Sequence, residues 1–160
     1  MPSVAVVLGR GGHTSEALAL VDLLGPTFDY IYLIGLLDRL TPRRIRIPGR
    51  KVPVLAPRLL PQDSRIMSFL RALMTLFLSL FYFAAFRPKV VVSCGTGMTV
   101  PIFYSARITG VRTVYIENMA SVESLSLTGR IILGKTDLFL VQWESLVSRI
   151  PGVIYGGQLL

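Results

Sequence analysis

Histidine and cysteine each occur once in this 160-residue chain. A lone cysteine, Cys94, can close neither an internal disulfide nor a Cys-x-x-Cys redox pair. With a single histidine, His13, it cannot supply a zinc cluster either. No metal and no cofactor is therefore expected, and a reducing compartment fits. Charge is also sparse, at 16% of residues, while apolar residues reach 52%; ordinary globular chains carry about 25% and about 45–50%. That balance excludes disorder, collagen-like repeats and a disulfide scaffold. The opening stretch MPSVAVVLGRGGHT lacks the basic n-region and cleavage site of a signal peptide, and its apolar run is too short to cross a bilayer. Neither a repeat nor a linker interrupts residues 1–160, so one domain is expected.

Negative charge is the scarcest of all in the middle of the chain. From Arg39 to Lys89 there are eleven basic residues and one acid, Asp63, giving +10, while the remainder nets −2. The basic residues include Arg43, Arg44, Arg46 and Arg58. Nucleic-acid binders interleave such residues with aromatic or polar side chains, whereas this stretch runs into a greasy one, Ile66 to Phe86. An anionic membrane is the better partner, and no nucleic acid is expected. The bland reading is solvated charge on a loop. The membrane-associating region is placed at about 39–89, with Arg43, Arg44 and Arg46 as its basic members and Phe69, Leu73, Phe77 and Phe81 as its apolar ones.

Val4–Leu8 is a short Val-rich run that reads as a buried parallel strand. His13 to Leu24 reads as a helix on a sheet, capped by Thr14 or Ser15, with Glu16 suited to its dipole and Gly25-Pro26 ending it. Tyr30–Ile34 is a second strand, residues 36–51 an exposed loop, and Val52–Ala56 a third strand. In Ile66–Phe86 the polar residues Ser68, Arg71, Thr75, Ser79 and Tyr82 recur at spacings of 3, 4, 4 and 3, one narrow stripe of a helix. The run is long enough to span a bilayer. Strands on either side of it argue for a crossover helix instead, one side on the sheet and the other in the lipid interface. Val90–Ser93, a helix from about Thr99 to Ile108 closed by Gly110, Thr113–Ile116, Leu138–Val141 and Val153–Tyr155 complete an α/β, Rossmann-like doubly wound parallel sheet.

Two glycine loops fall between strand and helix. The first is Gly9-Arg10-Gly11-Gly12-His13-Thr14. Glycines there permit a tight turn and close ligand approach, and the helix N-terminus offers N–H groups to a phosphate. It is not a dinucleotide fingerprint, because Thr14 stands where the third glycine belongs, and no Gly-Lys-Ser/Thr follows to make a Walker loop. His13 is a candidate general base or phosphate partner, or simply an N-terminal cap. The second loop, Ser93 to Pro101, contains Gly95, Thr96 and Gly97. Both loops open at the carboxyl edge of the sheet, and together they suit a diphosphate. Glu117, at the end of its strand, is a candidate to orient a sugar hydroxyl or act as a base, or else caps a helix or pairs with a cation. Cys94 is expected to be a small core residue.

The segments GRGGHTSEAL, SCGTGMTVP, YIENMASVESLSLTGR, DLFLVQWE and YGGQLL occur in that order. Together they resemble the membrane-anchoring subunit of the two-component UDP-N-acetylglucosamine transferase that acts on a lipid-linked oligosaccharide. They also resemble its bacterial exopolysaccharide glycosyltransferase-subunit relatives, some of which use UDP-glucuronic acid. A fainter likeness exists to the N-terminal half of the peptidoglycan GlcNAc transferase that makes lipid II. The resemblance implies the N-terminal half of a GT-B glycosyltransferase, inactive alone. It would bind a lipid-diphosphate acceptor at the cytoplasmic face of a membrane and recruit a separate UDP-sugar-binding subunit. Carried onto this sequence, Gly9, Gly11, Gly12, His13 and Thr14 match the first loop, Gly95 and Gly97 the second, and Glu117 the strand-end acid. Eukaryotic members carry a membrane helix before the first strand. Only three residues precede Val4 here, so anchorage is expected from Ile66–Phe86 and the basic loop. Glu123 stands where the family often has a basic residue. The rival readings are a non-catalytic membrane scaffold for the partner and a stand-alone nucleotide-sugar or dinucleotide-binding module.

Overall fold

The computed structural model describes residues 1–57 and 63–160; Arg58, one of the basic residues named above, lies outside the described residues. Seven parallel strands form one sheet: β1 (Ser3–Leu8), β2 (Asp29–Gly35), β3 (Gly49–Val54), β4 (Val90–Ser93), β5 (Arg112–Ile116), β6 (Leu138–Val141) and β7 (Ile154–Tyr155), in the order β3-β2-β1-β4-β5-β6-β7. The helices are α1 (Gly12–Leu24), α2 (Thr41–Arg44), α3 (Arg65–Phe86), α4 (Thr99–Thr109) and α5 (Leu127–Ile132). This is the doubly wound architecture expected from the alternation of apolar runs and helical stretches. Two boundaries differ. Residues 36–51 hold α2 and the start of β3 rather than one loop, and β3 ends at Val54. The short helix α5 carried no apolar periodicity by which to find it.

Strand direction explains the layers. The β1–α1–β2 unit steps one way along the sheet, and the units through α3 and α4 step the other. Right-handed crossovers therefore place α1 on one face and α3 and α4 on the opposite face. The strands are apolar on both sides. Val4, Val6 and Leu8 of β1 pack with Ala17, Leu18 and Val21 of α1, while Ala5 and Val7 join Phe83 of α3 and Ile102, Phe103 and Ala106 of α4.

Helix α3 is mounted the wrong way round for a buried helix. Thr75, Ser79 and Phe83 are its buried residues. The polar stripe faces the protein: Thr75 Oγ1 donates to the Leu55 carbonyl at 2.5 Å, Tyr82 OH to the Pro53 carbonyl at 3.0 Å, and Arg71 pairs with Asp63 at 2.6 Å. Ser105 Oγ of α4 donates to the Leu76 carbonyl at 2.7 Å. The apolar residues point out: Phe69 is 67% exposed, Leu73 40%, Phe77 60% and Phe81 67%. Because β3 and β4 belong to one parallel sheet, α3 is a crossover helix with both ends on that sheet.

The basic triplet, expected on the same membrane face, lies elsewhere. Arg44 donates to Ser15 of α1 at 2.8 Å, and Arg46 pairs with Asp22 of α1 at 3.2 Å. Between and beyond them, Ile45 and Ile47 pack into the α1 layer. The sequence places Arg43, Arg44 and Arg46 close to α3 along the chain, but the crossover carries α3 to the other side of the sheet.

Ser79 Oγ is buried and has no hydrogen-bond partner among the described residues. Ser79→Ala is therefore expected to be neutral or slightly stabilising, whereas Thr75→Val orphans the Leu55 carbonyl and should cost about 1–3 kcal/mol. Urea denaturation of both variants tests this; equal stabilities would show that the inward polar stripe does not hold α3.

Candidate functional site

The strand order reverses between β1 and β4, and at such a point the carboxyl ends of the strands open a crevice. The two glycine loops rise on either side of it and touch. A Cβ built on Gly9 would stand 3.0 Å from Thr96 Cβ and 3.3 Å from His13 Cβ, so any larger residue would push the loops apart. Gly95, at φ +76°, would bring a Cβ to 3.3 Å from both His13 Nδ1 and Tyr115 OH. Gly11 provides the N-cap of α1 at φ +65°, a conformation L side chains rarely adopt. Neither Thr14 nor Ser15 caps this helix as expected: the buried Thr14 hydroxyl instead donates back to the Gly9 carbonyl. A Cβ on Gly12 or Gly97 would meet only open space.

His13 sits in the first turn of α1, and its ring reaches across to the second loop. Nδ1 lies 3.0 Å from the Cys94 carbonyl. A carbonyl can only accept, so Nδ1 carries a proton, and of the two ring nitrogens it is Nε2 that can take one up. His13 lines a cleft of about 280 Å³ together with Gly9, Arg10, Asp38, Thr96 and Gly97, and with Leu37, Ala56, Pro57 and Met98 on the apolar side. Cys94 is buried, and burial pushes its thiol pKa well up, so the residue contributes its carbonyl rather than its sulfur.

Asp38 is a wall residue that the sequence reading did not pick out. Burial alone would raise its pKa. Hydrogen bonds from Thr41 Oγ1 at 2.6 Å and from the Thr41 and Leu40 amides at 3.0 Å, with the Arg10 charge nearby, outweigh that and hold the carboxyl below its ordinary value. The sequence signal was present: an Asp three residues before the Thr that opens α2 is a local capping pattern.

Glu117 is not placed as a base or as a sugar-hydroxyl holder. It is fully buried and does not line the cleft. Oε1 accepts from the Asn118 amide at 2.9 Å, Asn118 Nδ2 at 3.0 Å and Ser121 Oγ at 3.2 Å; Oε2 accepts from the Ser126 amide and hydroxyl, both at 3.1 Å. The carboxylate is thus the hub around which the 117–126 loop folds. A Cβ on Gly129 would collide with Oε2. Glu16, expected to serve the helix dipole, is likewise buried. It accepts from Gln142 Nε2 at 2.8 Å and from the Met119 amide at 3.3 Å, and Gln142 also takes the Leu159 amide at 2.9 Å. The structure therefore brings Gly9, His13, Thr96 and Gly97 together in one wall. Gly11, Thr14 and Gly95 shape the loops behind it, Gly12 borders open space, and Glu117 stands apart.

Glu117→Gln turns one end of the hub into a donor facing donors and is expected to destabilise the fold by about 2–3 kcal/mol. Gly129→Ala should do at least as much damage, since the added methyl displaces Oε2. Chemical denaturation reads both; wild-type stability in Glu117→Gln would show that the loop does not depend on the carboxylate.

Residues 4–159 match the family model described as "Oligosaccharide biosynthesis protein Alg14 like". The UDP-N-acetylglucosamine transferase subunit ALG14 of Mus musculus is 29% identical over 177 residues, covering 97% of this chain and 82% of that protein. Its counterpart from Cryptococcus neoformans var. neoformans serotype D (strain JEC21) is 33% identical over 188 residues, covering 99% and 80%. Among solved structures, Acinetobacter baumannii MurG superposes with a TM-score of 0.71 at 17% identity over 91% of this chain. The UDP-GlcNAc 2-epimerase of Neisseria meningitidis bound to UDP-GlcNAc gives 0.68, also at 17% identity, over 99%. The chain spans only 43% and 47% of those two proteins, and the likeness is one of fold, a Rossmann-like doubly wound sheet. Carried by the family match over nearly its whole length, the chain belongs to the Alg14-like family of oligosaccharide biosynthesis proteins.

Proposed function

We propose that this chain is the acceptor-binding subunit of a two-component UDP-sugar glycosyltransferase of N-acetylglucosaminyl or glucuronosyl type. It holds a lipid-diphosphate-linked acceptor in the cleft and recruits a separate UDP-sugar-binding subunit to the cytoplasmic face of a membrane. The observation that carries this reading is the His13 ring, fixed through Nδ1 by the Cys94 carbonyl at the junction of the two glycine loops, which leaves Nε2 as the nitrogen that can accept a proton. A proton acceptor at that place suits a base for an acceptor hydroxyl; steadying a diphosphate would call for the doubly protonated ring. The family relatives, named as transferase subunits, support the division of labour.

In this reading the acceptor hydroxyl attacks the anomeric carbon of the UDP-sugar held by the partner. The bond from that carbon to UDP breaks, UDP leaves with the electron pair, and the hydroxyl proton passes to His13 Nε2. Gly12 and Gly97, with no side chain to obstruct approach, admit the diphosphate to the backbone N–H groups of the two loops. The start of α3 lies beyond β3 at the same edge of the sheet as the cleft, and Ile66, Phe69 and Leu70 are exposed there. A lipid tail leaving the cleft would meet that apolar strip, and the outward face of α3 would sit in the membrane interface. Exposing it to water forgoes roughly 1.5–3 kcal/mol for each large side chain that could be buried.

His13→Ala, assayed in the complex reconstituted with its donor-binding subunit, is expected to lower kcat by roughly 100-fold or more, while vesicle association persists and stability falls only by the one lost hydrogen bond to Cys94, about 1 kcal/mol. Turnover at the parental rate would remove His13 from the chemistry and leave the chain as a membrane scaffold for its partner.

A further inference from the structure

A second hollow, of about 750 Å³, lies at the amino edge of the sheet, at the opposite end of the strands from the cleft. Its walls are the last turn of α3 (Phe83, Ala84), the end of α4 (Thr109, Gly110) and the segments that lead into β4 and β5. Three cations line it: Arg87, Lys89 and Arg112, all exposed. Among the described residues none of the three takes part in an ion pair, and none donates a side-chain hydrogen bond to the protein. Their backbones are nevertheless pinned. The Lys89 amide donates to the Ser3 carbonyl at 2.9 Å, the Arg112 amide to the Lys89 carbonyl at 3.2 Å, and Arg87 closes α3 at φ 47° with its amide on the Phe83 carbonyl at 2.9 Å.

Opposing charge in the hollow is small. The ends of α3 and α4 each contribute roughly half a negative charge. The Asp137 carboxylate feels Arg107 and Arg112 but is committed to the Thr113 amide at 2.7 Å and hydroxyl at 2.8 Å. Three full positive charges exceed what two helix ends require. The hollow also continues the outward apolar face. Phe81 of α3 and Ile108 of α4, each 67% exposed, precede its walls by less than a turn. A ligand that suits both features carries a phosphate on a hydrocarbon body.

We infer that this hollow is a headgroup site for an anionic phospholipid, with its phosphate among Arg87, Lys89 and Arg112 and its acyl chains along Phe81 and Ile108. The inference rests on the reading that α3 meets lipid. It moves the charged contact away from Arg43, Arg44 and Arg46, which the fold places on the other layer, to the foot of α3 itself.

Vesicle flotation of the full chain at low salt tests it, with phosphatidylcholine alone or mixed with phosphatidylglycerol. The variant R87Q/K89Q/R112Q is expected to lose roughly 100-fold in partition onto the mixed vesicles, equivalent to about 1 kcal/mol for each basic residue, with partition onto phosphatidylcholine unchanged. R43Q/R44Q/R46Q should lose far less. Parental partition of R87Q/K89Q/R112Q, or equal losses in the two triplets, overturns the site. A parent chain that floats with no vesicle, or is indifferent to F77S/F81S, refutes the α3 reading instead and takes the site with it. Thermal stabilisation by inorganic phosphate that R87Q/K89Q/R112Q abolishes, without any preference for phosphatidylglycerol, assigns the hollow to a soluble phosphate and overturns the lipid. Melting curves monitor folding, and R87Q/K89Q repeats the measurement with the surroundings of Asp137 undisturbed.

Discussion

The bond from His13 Nδ1 to the Cys94 carbonyl joins the two glycine loops at the point where the halves of the sheet diverge. β1 and β4 are neighbours, but their following helices leave on opposite faces, so nothing in the regular structure ties one loop to the other. That tie is made by one side chain and by the absence of others. Gly9 and Gly95 leave room for Thr96 and the imidazole. The same bond decides the chemistry of the ring. A carbonyl partner on Nδ1 selects which nitrogen donates and leaves Nε2 as the one that can accept.

The second constraint is the inverted mounting of α3. Its anchors are hydrogen bonds to carbonyls that β3 leaves behind as it ends, Pro53 and Leu55, together with a buried Phe83. A helix held by polar groups has no need to bury its apolar ones, and the exposed row from Ile66 to Phe81 follows. In water alone this arrangement forgoes stabilisation that a conventional amphipathic helix would gain. On that face α4 occupies the neighbouring position, joined to α3 by Ser105 on the Leu76 carbonyl, and among the described residues the row stays exposed.

These features were unequally legible in the sequence. The strands β1, β2 and β4 were legible because a fully apolar Val- and Ile-rich run bounded by glycine or proline suits little else. The polar stripe of α3 was legible as a stripe, since helical spacing is local information. Which way it faced was settled only by the carbonyls of a distant strand end. Arg43, Arg44 and Arg46 are adjacent to α3 in the chain but separated from it by the sheet, and a charge count along the sequence cannot see a crossover. Arg87, Lys89 and Arg112 converge only because β4 and β5 pair in register.

The two buried glutamates show why residue type misleads about role. Glu117 sits where a carboxylate at a strand end invites a catalytic reading, and Glu16 where a helix N-terminus invites an electrostatic one. What decides each case is how many donors surround the carboxylate once the chain has folded. Glu117 is ringed by the amides and hydroxyls of its own loop. Glu16 reaches Gln142 and the Met119 amide, and through Gln142 the Leu159 amide. Each carboxylate spends its oxygens on holding the donors of its own surroundings, and neither lines the cleft. In the proposed function, base chemistry at this edge of the sheet is assigned to His13, which lines the cleft, and to neither glutamate.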